Sequence, residues 1–368
     1  MKFSVQREAI LKPLLMVGGV VERRHTLPVL ANILVSVQDG QLSMTGTDLE
    51  VEIVARLQLE ADSSNGEITV PAKKFIDICR ALPDGSQIDF VLDEQKVVLK
   101  SGKSRFTLST LAASEFPAVE EGTQEHSFSC SQASIKALID KTGFAMAQQD
   151  VRYYLNGMLW ELEQNKLRVV ATDGHRLALA STELEQADFS SLVQAILPRK
   201  GVIELSRLVA DGDEQVEIIL GKNHVRAKTA AFTFTSKLVE GKFPNYSQVI
   251  PRGGDKIVIG DRIELKQAFS RTAILSNEKY RGVRLLVENN QITLVANNPE
   301  QEEAEDHVAV DYVGENLEVG FNISYLLDVV NVLSCEKAKI TLSDANSSAL
   351  IQDAEDDQAS YVVMPMRL

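Results

Sequence analysis

Three segments of this 368-residue chain end in the same kind of polar turn: SMTGTDLE, VVATDGHR and LVANNPE. Asp48 and Asp173 lie 125 positions apart, and Asn298 follows Asp173 by the same 125. A repeat at that interval is the size of a domain, so the chain reads as three copies of one unit. Each turn follows an alternating apolar hairpin, NILVSVQDGQLSMTG, GMLWELEQNKLRVVA and GVRLLVENNQITLVA, in which Leu42, Leu167 and Ile292 keep one register. Upstream, FSVQREAILKPLLMV, FSCSQASIKALIDKT and IVIGDRIELKQAFSR each read as a strand entering a helix, with Lys12, Lys136 and Lys266 in nearly matching places. Downstream, VPAKKFIDICRAL, LPRKGVIELSRLV and FNISYLLDVVNVL read as a strand end entering a second amphipathic helix. SRFTLSTLAASEFP, FTFTSKLVEGKFP and SYVVMPMRL read as closing strands. The expected unit is β-α-β-β-β-α plus further strands, an α+β class. Its boundaries fall in the polar segments EEGTQEHS and PRGGDK, giving units 1–124, 125–252 and 253–368.

The second turn puts Asp173, Gly174, His175 and Arg176 in succession. An Asp beside a His invites a general-base reading, with Asp173, His175 and either Cys130 or Ser181 as its players. Neighbours on a strand, however, point to opposite faces. The third copy has Asn297-Asn298 instead, and only the second contains His. No P-loop, nucleophile elbow or metal-ligand spacing accompanies them. No catalytic residue, metal or cofactor is therefore expected.

A net charge of −14 argues against a simple basic nucleic-acid binder, while leaving room for a local basic surface. Cys79, Cys130 and Cys335 have no CxxC spacing, which fits a reducing cytoplasm. Lys2, Arg7, Glu8 and Lys12 interrupt the stretch where an export signal needs an unbroken apolar run. No window approaches the ~20 apolar residues of a membrane span, so a soluble, cytoplasmic protein with no membrane partner is expected.

Charge is distributed unevenly between the ends of the chain. The first unit closes on EQKVVLKSGKSRF, with Lys96, Lys100, Lys103 and Arg105; the third carries PEQEEAEDH, with Glu300, Glu302, Glu303, Glu305 and Asp306. Opposite signs at opposite ends suit a head-to-tail contact between two chains, with Phe106 and Leu108 meeting Ile274 and Leu275. A two-fold dimer satisfies that contact twice and closes a ring of six units. A non-ring interaction scaffold is the alternative.

TLPVLANIL, TGTDLEVE, QQDVRYYLNGML, ATDGHRLA, LPRKG, FTSKLVEGKFPNY, AILSNEKYRGVRL, ANNPEQEEAE and YVVMPMRL span the chain and together resemble the sliding-clamp family, the β subunit of bacterial DNA polymerase III. The resemblance implies three clamp domains, each with two helices packed on antiparallel sheets, and a head-to-tail homodimeric ring with helices lining the hole. Twelve helices at ~10 Å each give a circumference of ~120 Å and a hole of ~38 Å. A duplex ~20 Å across passes through it. The implied role is a processivity factor that does no chemistry. Its implied partners are duplex DNA, held without sequence preference, the DNA polymerase III alpha subunit, the clamp loader delta subunit, and repair and translesion polymerases.

The same resemblance assigns residues. A partner-peptide pocket falls on Leu155, Thr172, Gly174, His175, Arg176, Leu177, Pro244, Val249, Ser348, Val362, Val363, Met364, Pro365, Met366 and Arg367. In it, Arg176 and the His175 backbone are expected to meet polar groups of an extended peptide. DNA contacts fall on Arg24, Lys73, Arg80, Gln149, Tyr153, Tyr154, Arg199 and Lys200. The dimer interface takes Lys74, Lys96, Lys103, Arg105, Phe106, Leu108, Ile274, Leu275, Glu300, Glu302 and Glu303. Gln248 departs from the family's better-known members, which carry Arg there.

Overall fold

The computed structural model describes residues 1–22, 27–60, 62–117, 124–185 and 189–367. The first repeat runs β1 (Lys2–Gln6), α1 (Arg7–Gly18), β2 (Asn32–Gln38), β3 (Gln41–Thr47), β4 (Val51–Gln58), β5 (Gly66–Pro71), α2 (Ala72–Ala81), β6 (Gln87–Asp93), β7 (Lys96–Ser101) and β8 (Ser104–Ser109). The second runs β9 (Gln124–Ser131), α3 (Gln132–Thr142), β10 (Gly157–Gln164), β11 (Lys166–Thr172), β12 (Arg176–Glu183), β13 (Phe189–Pro198), α4 (Arg199–Leu208), β14 (Gln215–Gly221), β15 (His224–Lys228) and β16 (Phe232–Lys237). The third repeats that order: β17 (Lys256–Asp261), α5 (Arg262–Thr272), β18 (Gly282–Glu288), β19 (Gln291–Asn297), β20 (Glu303–Asp311), β21 (Leu317–Asn322), α6 (Ile323–Val332), β22 (Lys337–Leu342), β23 (Ala349–Asp353) and β24 (Ala359–Val363).

One strand per repeat was not anticipated. The polar turn does not end the hairpin; it reverses the chain into β4, β12 and β20. VEIVARLQ alternates buried and half-exposed residues, the mark of a strand with one face on a core. The helices follow the expected 3.6-residue period: Ile10, Leu14 and Val17 on α1 and Leu265, Phe269 and Thr272 on α5 are all buried.

The chain divides into two compact units. One, Met1–Ala133 with Lys200–Leu238, holds a four-stranded sheet, β1-β6-β7-β8, and an eight-stranded sheet, β5-β2-β3-β4-β16-β15-β14-β9. The other, Ser134–Arg199 with Val239–Leu368, holds a twelve-stranded sheet, β13-β10-β11-β12-β24-β23-β22-β17-β20-β19-β18-β21. The division runs through the middle repeat, because its strands join the sheets of both neighbours. The strand after one repeat's polar turn pairs with the last strand of the next repeat. Thus β4 pairs with β16, Ile53 opposite Phe234, and β12 pairs with β24, Ala178 opposite Tyr361.

Candidate functional site

The polar turns are built by their own side chains. Thr47 Oγ1 donates to Val51 O and accepts from Leu49 N, while Asp48 Oδ1 accepts from Glu50 N and Val51 N at 2.9 and 2.7 Å. The second turn has the same set: Thr172 Oγ1 donates to Arg176 O and accepts from Gly174 N, and Asp173 Oδ1 accepts from His175 N and Arg176 N at 2.9 and 3.0 Å. Short polar side chains that bond the backbone two and three residues on close such turns. Leu49 and Gly174 occupy the left-handed position of this turn, at φ 77° and 89°. The third turn is one residue longer and is closed by Asn298, whose Oδ1 accepts from Glu302 N and whose Nδ2 donates to Glu302 Oε2 at 2.6 Å.

This wiring removes the general-base reading of Asp173. One carboxylate oxygen caps backbone amides, and the other accepts from Arg176 Nε at 3.1 Å. Burial holds the Cys130 thiol up at about 12, far from a thiolate at neutral pH. Among the described residues no group of three or more His, Cys, Asp and Glu side chains could hold a metal ion.

Each turn aspartate meets a cation. Asp48, nearly buried, is ion-paired to Lys200, which also contacts Glu22. Burial alone would raise the Asp48 carboxyl, but Lys200 and the amides of Val51 and Glu50 hold it below its ordinary value. Asp173 instead meets Arg176, whose guanidinium also pairs with Asp328, donates to Phe144 O and lies over the Phe144 and Tyr325 rings at 5.2 and 4.5 Å. Each of the three guanidinium nitrogens of Arg176 thus has one partner within the protein. The His175 backbone is engaged too, its N–H by Asp173 and its carbonyl by Met364 N at 2.9 Å. In the structure these two groups hold the wall of the site together, and Arg176 at the same time borders the cleft.

That wall borders a cleft of about 210 Å³. Nine of the predicted pocket residues line it: Leu155, Thr172, Gly174, Arg176, Leu177, Pro244, Val249, Val362 and Met364. Pairing explains the choice. Leu177 lies opposite Val362 and turns its side chain to the same face, so Val363, the next residue on β24, points the other way. Val363 is accordingly buried in the core. Pro365, Met366 and Arg367 are not among the lining residues; Met366 N donates to Gly320 O and carries the chain away. His175 is also outside the lining, and Ser348 borders a neighbouring hollow with Gln248 and Arg252 that shares Val249 with the cleft.

Four lining residues were not anticipated here: Arg152, Tyr154, Asn245 and Tyr246. The Tyr246 hydroxyl donates to Glu161 Oε1 at 2.7 Å, and Glu161, almost fully buried, also accepts from Arg168 and from Gln194 at 2.8 Å. Arg168 and Gln194 stand directly opposite Glu161 on the two flanking strands, β11 and β13. This polar ladder pins the Tyr246–Gln248 turn, and with it Val249, over an apolar floor of Leu155, Leu159, Leu177, Phe243 and Val362. Desolvation and Glu161 push the Tyr246 hydroxyl up to about 12, so it remains a donor across the working pH range.

The remaining site residues take varied positions. Lys73, Lys74 and Arg80 are exposed on α2; Gln149 is exposed at φ 55°, Tyr153 is 57% exposed, and Tyr154 borders the cleft. Arg199 donates to Met146 O. Lys200 already has two carboxylate partners, and Arg24 lies outside the described residues. Lys96, Lys103 and Arg105 are exposed along the β7–β8 hairpin, with Phe106 half-buried and Leu108 buried. Ile274 is 76% exposed, Leu275 is half-buried, and Glu300, Glu302 and Glu303 are exposed in and after the third turn.

Comparison with known proteins agrees with this architecture. The family models of the DNA polymerase III beta subunit match residues 1–120 (N-terminal domain), 129–245 (central domain) and 247–367 (C-terminal domain). The beta sliding clamps of Pseudomonas putida and Escherichia coli are 60% and 53% identical to the chain, each over the full length of both proteins. The crystal structure of the DNA polymerase III subunit beta from Pseudomonas aeruginosa superposes with a TM-score of 0.96 at 59% identity, covering all of both chains. The chain belongs to the DNA polymerase III beta subunit family, the sliding clamps of DNA replication. It is a processivity clamp, built to keep a polymerase on its template.

Proposed function

We propose that two copies of this chain close head to tail around duplex DNA and hold it by topology, with domains at 1–124, 125–252 and 253–368. Repeat geometry supports this reading. Phe234 and Tyr361, both fully buried, face Ile53 and Ala178 across the two junctions within the chain. The same place in the first repeat is Phe106, since Leu99 opposite Phe106 corresponds to Ala227 opposite Phe234. Phe106 is only half-buried, and β8 ends its sheet. The strand that matches β4 and β12 is β20, where Ala304 corresponds to Ile53 and Ala178; residues 303–308 have a strand neighbour on one side only among the described residues. Antiparallel pairing of β8 with β20 of a second copy then sets Phe106 opposite Ala304, Arg105 opposite Glu305 and Thr107 opposite Glu303. Charge and hydrophobic register agree.

A closed ring need not grip phosphate strongly, which suits a chain of net charge −14. Water-bridged, sequence-independent contacts from exposed residues such as Arg80, Gln149 and Tyr153 suffice. The cleft takes a short apolar segment of the polymerase; tethering raises the effective concentration of the polymerase at the primer end, so modest affinity gives long residence. The clamp loader and repair polymerases use the same cleft in turn. The protein itself catalyses nothing and works in the cytoplasm. The deciding experiment is retention on nicked circular duplex after loading, before and after linearisation. Retention on circles with loss from free ends is expected; equal retention on both means direct affinity and no ring.

A further inference from the structure

One connection departs from the repeat. The hairpins β6–β7 and β14–β15 close with two residues each, Glu94-Gln95 and Lys222-Asn223, whereas β22–β23 is joined by six, residues 343–348. Two residues are enough to reverse an antiparallel chain, so the longer turn is not needed for folding back. Its extra residues form one wall of the hollow of about 540 Å³ beside the cleft. The facing wall is residues 247–252, which contain the end of the pinned Tyr246–Gln248 turn and lend Val249 to hollow and cleft alike. The lining is polar and carries one kind of charge. Gln248, Ser343, Ser347 and Ser348 bring neutral donors, Arg252 is exposed and forms no ion pair among the described residues, and no Asp or Glu side chain lines the hollow. Asp344, in the same turn, does not neutralise Arg252. Its carboxylate accepts from Asn346 N at 2.8 Å, and the cation acting on it is Lys256.

We infer that this hollow receives the carboxylate of a Glu or Asp in the partner segment whose apolar residues fill the cleft, with Arg252 as its cation and Ser343, Ser348 and Gln248 as supporting donors. A chain of net charge −14 repels acidic segments in general, so a guanidinium among neutral donors favours a carboxylate at this one place. Val249 and Arg252 are at most ~10 Å apart along the chain, a span that an extended peptide covers in about three residues. The inference rests on the cleft reading and deepens it: the cleft anchors the segment, and the hollow selects for an acidic flank.

The test is calorimetric titration of the full-length protein at low salt with three synthetic forms of the polymerase's cleft-binding segment. One is flanked by Gln, one has Glu about three residues before the apolar residues, and one has Glu about three residues after them. One of the Glu forms is expected to bind about two- to fivefold tighter than the Gln form, the range for an exposed ion pair. That gain should vanish in Arg252→Gln, while the Gln form binds parent and variant alike. Equal affinity of all three forms for the parent overturns the inference, as does a Glu preference that survives Arg252→Gln. A Gln form that does not bind the parent, or that binds Met364→Asp equally well, sinks the cleft reading and the hollow with it.

Discussion

At the scale of single residues, the Thr-Asp pairs are turn-closing devices whose carboxylates then recruit a cation. Asp48→Asn keeps the oxygen that caps the backbone but removes the charge facing Lys200. It is expected to cost about 1.5–3 kcal/mol at pH 7, the range for hydrogen bonds to charged groups. The folded-state pKa of Asp48 is lowered, so its contribution is present above the ordinary carboxylate range and is lost as pH falls through the folded value. Urea unfolding of parent and Asp48→Asn should therefore differ most at pH 7 and begin to converge only below about pH 4, where the unfolded chain takes up its proton. A difference that stays constant with pH would show that the charge is not what matters. Tyr246→Phe leaves the buried Glu161 short of one donor, at about 1–3 kcal/mol. It should also weaken binding of an apolar polymerase peptide by several-fold, because Val249 loses its anchor. Calorimetric titration with that peptide checks the second effect; unchanged affinity would mean that the turn keeps its place without the hydroxyl.

At the scale of elements, α4 and α1 are joined through one side chain. Arg207 donates to Leu15 O and Met16 O, the free carbonyls at the end of α1, and pairs with Glu204. α1 has no basic residue of its own in its last turn. Room for the guanidinium comes from Gly19, where a Cβ would lie 1.6 Å from Arg207 Nη2. Gly19→Ala should displace Arg207 and cost about 1 kcal/mol, and Arg207→Ala should cost a similar amount. Since both remove the same cap, the double variant should be no worse than either single by more than about 0.5 kcal/mol in denaturant unfolding. Full additivity would show that the two act separately.

At the scale of the whole molecule, removal of Met364 to Leu368 deletes a cleft residue and the strand extension bonded to His175 O and Gly320 O. Polymerase stimulation should fall to background in primer extension, with the dimer intact by sedimentation; equal stimulation would exclude the cleft. Charge reversal of Glu302 and Glu303 together should loosen the dimer, most of all at low salt, where exposed charges are least screened. A dissociation constant that does not move at low salt would count against the paired charges.

The amino-acid order alone determined the three-fold repeat, the two helices of each unit and the hairpins, because hydrophobic periodicity and turn chemistry are local properties. It also marked Leu177 and Val362 as pocket residues through the resemblance. It did not reveal β4, β12 and β20 as separate strands, since a closed turn and a chain end look alike until pairing partners are known. Nor did it reveal Tyr246, whose role depends on Glu161, 85 positions away. Only the tertiary structure decided that Arg176 is a strut, that Val363 faces inward, and that the middle repeat divides its strands between two sheets. Those outcomes depend on which strand edge meets which, and that is settled by long-range pairing rather than by any short stretch of sequence.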